Sequence, residues 1–223
     1  DDVDWIGDSY VLHDFGDCKI VDSAQKVERG QFLKEANDQD LMIFSFYPTK
    51  PVGGIDGGII VSNDADKISW FKEASMNGMS YSHNNWERTL KFPGWKMYMN
   101  SFQAEVAIRN LNKLDEKKEK LNHVRERYNS FFGLSNTSEH LYRIKVQKRD
   151  QFILRMKEAG IVCGIHYRAA HLNPVYSIEK NQDLPNSVEC DQTTVSIPYH
   201  ENLSKQNIDY VLEYYSRSME DLI

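Results

Sequence analysis

An acid, an amide, a hydroxyl and a lysine fall at the ends of two short apolar runs. They are Asp22 and Gln25 in Asp22-Ser23-Ala24-Gln25, Ser45 in Phe44-Ser45-Phe46, and Lys50, which is followed by Gly57-Gly58. A lysine amine can attack a carbonyl carbon and form a Schiff base. A carboxylate can keep a pyridine nitrogen protonated, so that the ring draws electrons. An amide can contact a phenolic oxygen, and a hydroxyl can donate to a phosphate. Pyridoxal phosphate presents all four of those groups to a protein.

Each residue also has a plain role. Asp22 could cap a turn at a strand end. Ser45 could be a small polar residue on a strand face. Lys50 could be a solvated loop lysine, as most lysines are, and Gly57-Gly58 could be only a turn. Their joint occurrence favours a site. Open α/β sheets bind ligands at the carboxyl ends of their strands, and Asp22 and Ser45 each lie at or near such an end.

The elements that must position them are legible as patterns. Lys19–Asp22, Leu41–Phe46 and Gly58–Val61 are short, continuously apolar strand candidates, which suggests a sheet covered on both faces. The polar stretch from Lys26 to Asp40 is long enough for a crossover. From Ser101 the pattern becomes helical, with Ala107, Leu111, Leu114, Leu121, Val124 and Tyr128 on one stripe. It reads as one long helix or two in line, opened by Asn100 and Gln103 in a capping-box arrangement. Leu141–Val146, Ile161–Tyr167 and Thr193–Ile197 are further strand candidates. Asp150 is expected to cap a helix that ends at Gly160. Ser204 is expected to cap a last helix carrying Ile208, Val211, Leu212, Tyr215 and Met219 on one face.

Several separate motifs, in order, resemble those of the DegT/StrS nucleotide-sugar aminotransferase family, a fold-type-I group of pyridoxal-phosphate enzymes. They are Asp22-Ser23-Ala24-Gln25, Phe44-Ser45-Phe46, Lys50, Asp56-Gly57-Gly58, Gly94 to Ala104, His166-Tyr167, Leu172 with Pro174, and Ser196 to Tyr199. The likeness covers residues 15–223. It implies an α/β fold in which 1–114 is the C-terminal portion of a large cofactor-binding domain, with a mainly parallel sheet between helices. Residues 115–223 would form a small α+β domain. It also implies roles. Asp22 holds the pyridine nitrogen, Gln25 contacts the phenolic oxygen, Ala24 packs on a ring face, Ser45 binds the phosphate, and Lys50 forms the Schiff base and shuttles a proton. Lys96 stands where the family usually has an asparagine that reaches the partner subunit's phosphate, so a homodimer with composite sites is expected. Met97-Tyr98 in place of Tyr-Arg, Ser101 in place of an acid, and Asp56 for a glutamate are departures near the substrate pocket.

Composition narrows the partners. The 223 residues are 40% hydrophobic and 27% charged, with a formal net charge of -6. That balance is ordinary for a globular protein and argues against a nucleic-acid surface. No apolar run approaches membrane-spanning length, so no membrane partner is expected. Cys18, Cys163 and Cys190 are odd in number and far apart, which disfavours a zinc site and suggests a reducing cytoplasm. His166 and His171 lack a nearby carboxylate at ligand spacing, so no metal is expected there. Phe92, Trp86 and Trp95 could stack on a sugar nucleotide, although such residues more often pack a core or an interface.

The resemblance implies a transaminase acting between an amino acid, glutamate by expectation, and a keto group on a nucleotide-linked deoxysugar. Dehydratase relatives replace the lysine with histidine, so Lys50 favours amination. A non-catalytic or incomplete form of the fold, kept for assembly or regulation, is the alternative. The chain opens on Asp1 without methionine and reaches its first family motif by Asp22. It is therefore expected to be the C-terminal part of a longer enzyme and a poor catalyst alone.

Overall fold

The computed structural model describes residues 7–80, 88–176 and 183–220. Two compact units divide the chain. One spans Asp8–Leu114, and the other is Asp115–Ile223 with Asp1–Gly7.

In the first unit, Tyr10–Asp14 (β1) and Lys19–Asp22 (β2) form an antiparallel hairpin. Leu41–Ser45 (β3) lies parallel to β2, and Gly58–Val61 (β4) returns antiparallel to β3. The strand order is β1-β2-β3-β4. Only the β2–β3 pair is parallel, where the resemblance implies a mainly parallel sheet. The connections decide this. Residues 15–18 are too few to cross a sheet. Residues 46–57 form a loop pinned to Phe46, whose N–H donates to the Gly57 carbonyl at 2.8 Å and whose carbonyl accepts from the Gly54 N–H at 2.8 Å. Residues 23–40, carrying the short helix Gln31–Glu35 (α1), are the crossover that a parallel pair needs.

Side chains alternate along a strand, and neighbours in register share a face. Val21 pairs with Met42, so Val21, Met42 and Phe44 share one face. Phe32 of α1, Phe46, Val52 and Ala107 complete a core there. The opposite face carries Asp22, its partner Ile43, and Ser45. Covering helices therefore bury the central pair from one side. On that opposite face Ile20, Ile43 and Ile60 are only half-buried, so the sheet is not covered on both faces, contrary to expectation.

Ala65–Ser75 (α2) starts at Asp64, whose carboxylate accepts from the Lys67 N–H at 2.9 Å. Met79–Ser80 (β5) pairs with Thr89–Leu90 (β6). Ser101–Asn112 (α3) opens with the expected capping box between Asn100 and Gln103.

Leu114–Phe132 (α4) follows α3 after Lys113 and, from Asp115, belongs to the second unit. Tyr142–Lys145 (β7) pairs antiparallel with Thr194–Ile197 (β8). Around them lie Arg149–Glu158 (α5), Pro185–Thr193 (α6) and Lys205–Glu220 (α7). Tyr128, Tyr142, Phe152, Met156 and Val195 are fully buried at the centre. The Tyr128 hydroxyl donates to the Pro198 carbonyl at 2.9 Å, so the buried phenol is not left unpaired. Ser204 caps α7 by accepting from the Asn207 N–H at 3.1 Å, and Ile208, Val211 and Leu212 face the core as expected.

Two expectations fail locally. Asp150 does not cap α5. Lys148 occupies the cap position in a left-handed conformation, and Asp150 sits in the first turn, where it accepts from the Arg149 guanidinium at 2.8 Å. Gly160, with φ +74°, does take the left-handed conformation expected after the helix. Residues 161–167 make one bridge, Gly164 to Ser196, rather than a strand. The His166 ring lies against Gly164, where a Cβ would meet it. No described helix is long and apolar enough to cross a membrane.

Burial separates two methionines of one unit. Met42 is 0% exposed and Met97 is 68% exposed. Met42→Ala should cost about 3 kcal/mol through lost contacts and a cavity. Met97→Ala should stay within about 0.5 kcal/mol. Urea midpoints at constant slope check both.

Candidate active site

The β2–β3 register brings Asp22 and Ser45 to the carboxyl ends of neighbouring parallel strands and to one face. The Asp22 carboxylate is held on two sides. Oδ1 accepts from the Ala24 N–H at 2.9 Å, and Oδ2 takes a long contact from the Tyr10 hydroxyl at 3.5 Å. Tyr10 stands opposite Asp22 across the β1–β2 ladder. Burial, with the Asp22 charge, raises the Tyr10 phenol above its ordinary value, so it stays protonated and able to donate.

Ser45 ends β3 beside Gly58. Its Oγ accepts from the Tyr47 N–H at 3.2 Å and starts the turn that presents Lys50. The Lys50 N–H closes that turn on the Tyr47 carbonyl at 2.9 Å. Downstream, Val52 is 2% exposed and Asn110 donates to the Gly53 carbonyl, so the loop is anchored behind the lysine. Gly58 suits its place because a Cβ there would meet the Phe44 carbonyl at 2.5 Å.

The Lys50 ammonium is partly buried, and burial lowers its pKa below the ordinary lysine value. The Asp22 charge acts on it in the opposite sense, so the acid and the amine belong to one electrostatic neighbourhood. A lysine depressed in this way spends more time as the free amine, which is the nucleophilic form.

The structure thus brings Asp22, Ala24, Ser45 and Lys50 together around the ends of β2 and β3, with Gln25 in the same turn as Ala24. Lys96 is held elsewhere. Its backbone bridges Met76, and its ammonium stands 5.9 Å from the centre of the Tyr98 ring. Phe92 is stacked on Trp70 at 5.3 Å and 12°. Trp95 is 57% exposed. Trp86 lies outside the described residues. In the second unit, His166 Nδ1 is 2.8 Å from Ser196 Oγ, and its carbonyl accepts from Arg143 at 3.1 Å. A cavity of about 400 Å³ in that unit is lined by Phe132, Arg143, Lys145, Cys190 and Tyr215.

Two contributors escape a reading by motif. Tyr10 is delivered by a hairpin whose signal is the Asp14-Phe-Gly16-Asp turn between two strand-length runs. Gln31, a buried amide beneath the Asp22–Lys26 turn, has no signal in the chain beyond its presence in a polar stretch.

With this arrangement in place, comparison with known proteins is decisive for family. The sequence profile of the DegT/DnrJ/EryC1/StrS aminotransferase family matches residues 29–215. The chain belongs to that family. It is 28% identical over 203 residues to the spore coat polysaccharide biosynthesis protein SpsC of Bacillus subtilis (strain 168), an alignment covering 78% of this chain and 52% of SpsC. It therefore spans about half the length of that relative. Among solved structures it resembles the putative sugar aminotransferase Spr1654 from Streptococcus pneumoniae in its PLP form. The TM-score is 0.80 at 22% identity, covering 92% of this chain and 58% of that one. It also resembles Helicobacter pylori PseC, an aminotransferase involved in the biosynthesis of pseudoaminic acid. There the TM-score is 0.74 at 21% identity, covering 81% and 53% of the two chains. The fold is accordingly the aminotransferase-like α/β fold of the family.

The Lys50–Asp22 pairing gives a signed expectation. The Asp22 carboxylate favours the ammonium form of Lys50. Asp22→Asn removes that support and leaves burial unopposed, so the Lys50 pKa should fall further. Rates of Lys50 modification by an amine-selective reagent, followed by peptide mapping across pH, should show the midpoint moving down in the variant.

Proposed function

We propose that this chain provides the cofactor site of a pyridoxal-phosphate-dependent aminotransferase. In this reading the enzyme moves an amino group from an amino acid, glutamate by preference, to a keto group of a nucleotide-linked deoxysugar. The observation that carries the proposal is the partly buried Lys50 amine in the field of Asp22, beside Ser45, at the ends of two parallel strands. Family membership and the sugar-aminotransferase descriptions of the neighbours support it.

The donor set fits the cofactor. A carboxylate suits a ring nitrogen, an amide a phenolic oxygen, a hydroxyl a phosphate and a depressed lysine an aldehyde. Asp22 would hold the ring nitrogen protonated, with its own orientation fixed by the Ala24 N–H and Tyr10. Ala24 would lie against a ring face, Gln25 at the phenolic oxygen and Ser45 at the phosphate. When bound, the cofactor supplies an electron sink for the substrate carbon that loses its proton. Lys50 Nζ would take that proton and return it one position along, which is general acid–base work by an amine that burial keeps from being permanently charged.

In this proposal 1–114 belongs to the large domain of a fold-type-I enzyme and 115–223 is the small domain. Lys96, whose contacts lie at Met76 and Tyr98, would serve the phosphate of a second copy in a homodimer. The exposed apolar Trp95, Met97 and Tyr98 beside it suit such an interface.

Four measurements test the reading. Borohydride reduction of the protein with pyridoxal phosphate should label Lys50, and a label on another lysine with Lys50 unmodified would overturn the assignment. Lys50→Ala should lower turnover by at least about a hundredfold. Asp22→Asn should lower turnover while leaving the unfolding midpoint nearly unchanged. Mixing Lys50→Ala with Lys96→Ala protomers should restore activity in verified heterodimers if the site is shared across subunits.

A further inference from the structure

Beneath the turn that carries Ala24 and Gln25 lies a network of buried polar side chains. Ser23 is 0% exposed and Gln31 is 2% exposed. Gln31 Nε2 donates to Ser23 Oγ at 2.6 Å and to Glu35 Oε2 at 3.0 Å, while its Oε1 accepts from the Glu28 N–H at 2.9 Å. Ser23 Oγ passes the link on by donating to the Lys26 carbonyl at 2.8 Å. The Lys26 ammonium sits 2.9 Å from Asp8 and 2.9 Å from Glu35, and Ser9 also donates to Glu35. On the other side, the Ser23 N–H donates to the Ile43 carbonyl at 2.8 Å and extends the parallel ladder one residue past Asp22.

The chain of contacts has a direction. Gln31 grips Ser23, the residue before Ala24, and through it the carbonyl of Lys26, the residue after Gln25. Both ends of the turn are therefore tied to one buried amide. An amide buried without partners is costly, and both polar ends of Gln31 are engaged here. A fully satisfied buried network rigidifies what it touches. A solvated turn with no task would not require it.

We propose that Gln31 is a positioning residue for the cofactor turn. It fixes Ser23, and thereby sets the spacing between the carboxylate of Asp22, the ring face at Ala24 and the amide of Gln25. Gln31 touches no reacting atom; it acts through Ser23 and Lys26. This inference rests on the reading of Asp22 to Gln25 as a pyridoxal-phosphate site.

The test compares wild type with Gln31→Leu, Ser23→Ala and the double variant. Pyridoxal phosphate is titrated into each and followed by its visible absorbance. The pH midpoint of the bound band and the thermal midpoint of the cofactor-free protein are measured alongside. Each single variant should weaken uptake about tenfold, as loss of one or two buried hydrogen bonds implies. The pH midpoint should rise. A carboxylate that holds the ring nitrogen less well and an amide that reaches the phenolic oxygen less well both favour the protonated state of the lysine-bound cofactor. The double variant should be no worse than the worse single one, because both changes cut the same chain of contacts. If Gln31→Leu does not fold, Ser23→Ala, a smaller change, decides. Wild-type protein that takes up no cofactor at Lys50 would overturn the site and this inference together. Normal wild-type uptake with unchanged affinity and pH midpoint in the folded variants would overturn the inference alone, whatever the thermal midpoints do. Losses that add in the double variant would also overturn it.

Discussion

The parallel pairing of β2 with β3 fixes where chemistry can occur in the unit Asp8–Leu114. Ile20 meets Leu41, Val21 meets Met42, and Asp22 meets Ile43. That register puts Val21, Met42 and Phe44 on the side of Phe32 and Ala107. It puts Asp22 and Ser45 on the other side, at the ends where two chains leave the sheet together. A slip of one residue would exchange the faces and turn Asp22 into the apolar core. The crossover through α1 makes the parallel direction feasible, and the same segment returns Gln31 to lie under the turn after Asp22. One constraint thus sets both the acid and its support.

At the site itself, two opposed effects meet on Lys50. Burial disfavours its charge, and Asp22 favours it. Burial prevails, but the acid limits the shift. The balance suits the role proposed for Lys50, in which it is an amine at one moment and carries a proton at another. Tyr10 adds a protonated phenol at the edge of the Asp22 carboxylate without adding charge.

What the sequence discloses is largely what depends on local contacts. Asn100 with Gln103, Ser204, and Gly160 mark helix ends through bonds spanning a few residues, and all three do so in the structure. Asp150 misleads for the same reason. A good capping residue sat one place inside the start, and Lys148 took the cap position through its backbone conformation alone. The family motifs expose Asp22, Ser45 and Lys50 because they are local strings. Tyr10 and Gln31 are invisible by that route, since each matters only through a partner 12 or 8 residues away that folding brings near. The direction of β4 was equally hidden. Nothing in Gly58–Val61 distinguishes parallel from antiparallel pairing; the intervening loop, pinned to Phe46, settles it.

The hairpin β1–β2 carries an irregularity between Val11 and His13, where Leu12 is an extra residue against β2. It restores Tyr10 to its place opposite Asp22 after the ladder has begun at Asp14 and Lys19. For the history of this segment, residue count matters more than residue identity. Its exposed side chains are free to drift through many apolar or polar types. A single-codon insertion there is a different kind of event, because with one residue already taken up by the bulge it rephases the strand and brings Val11 up to Asp22 in place of the phenol.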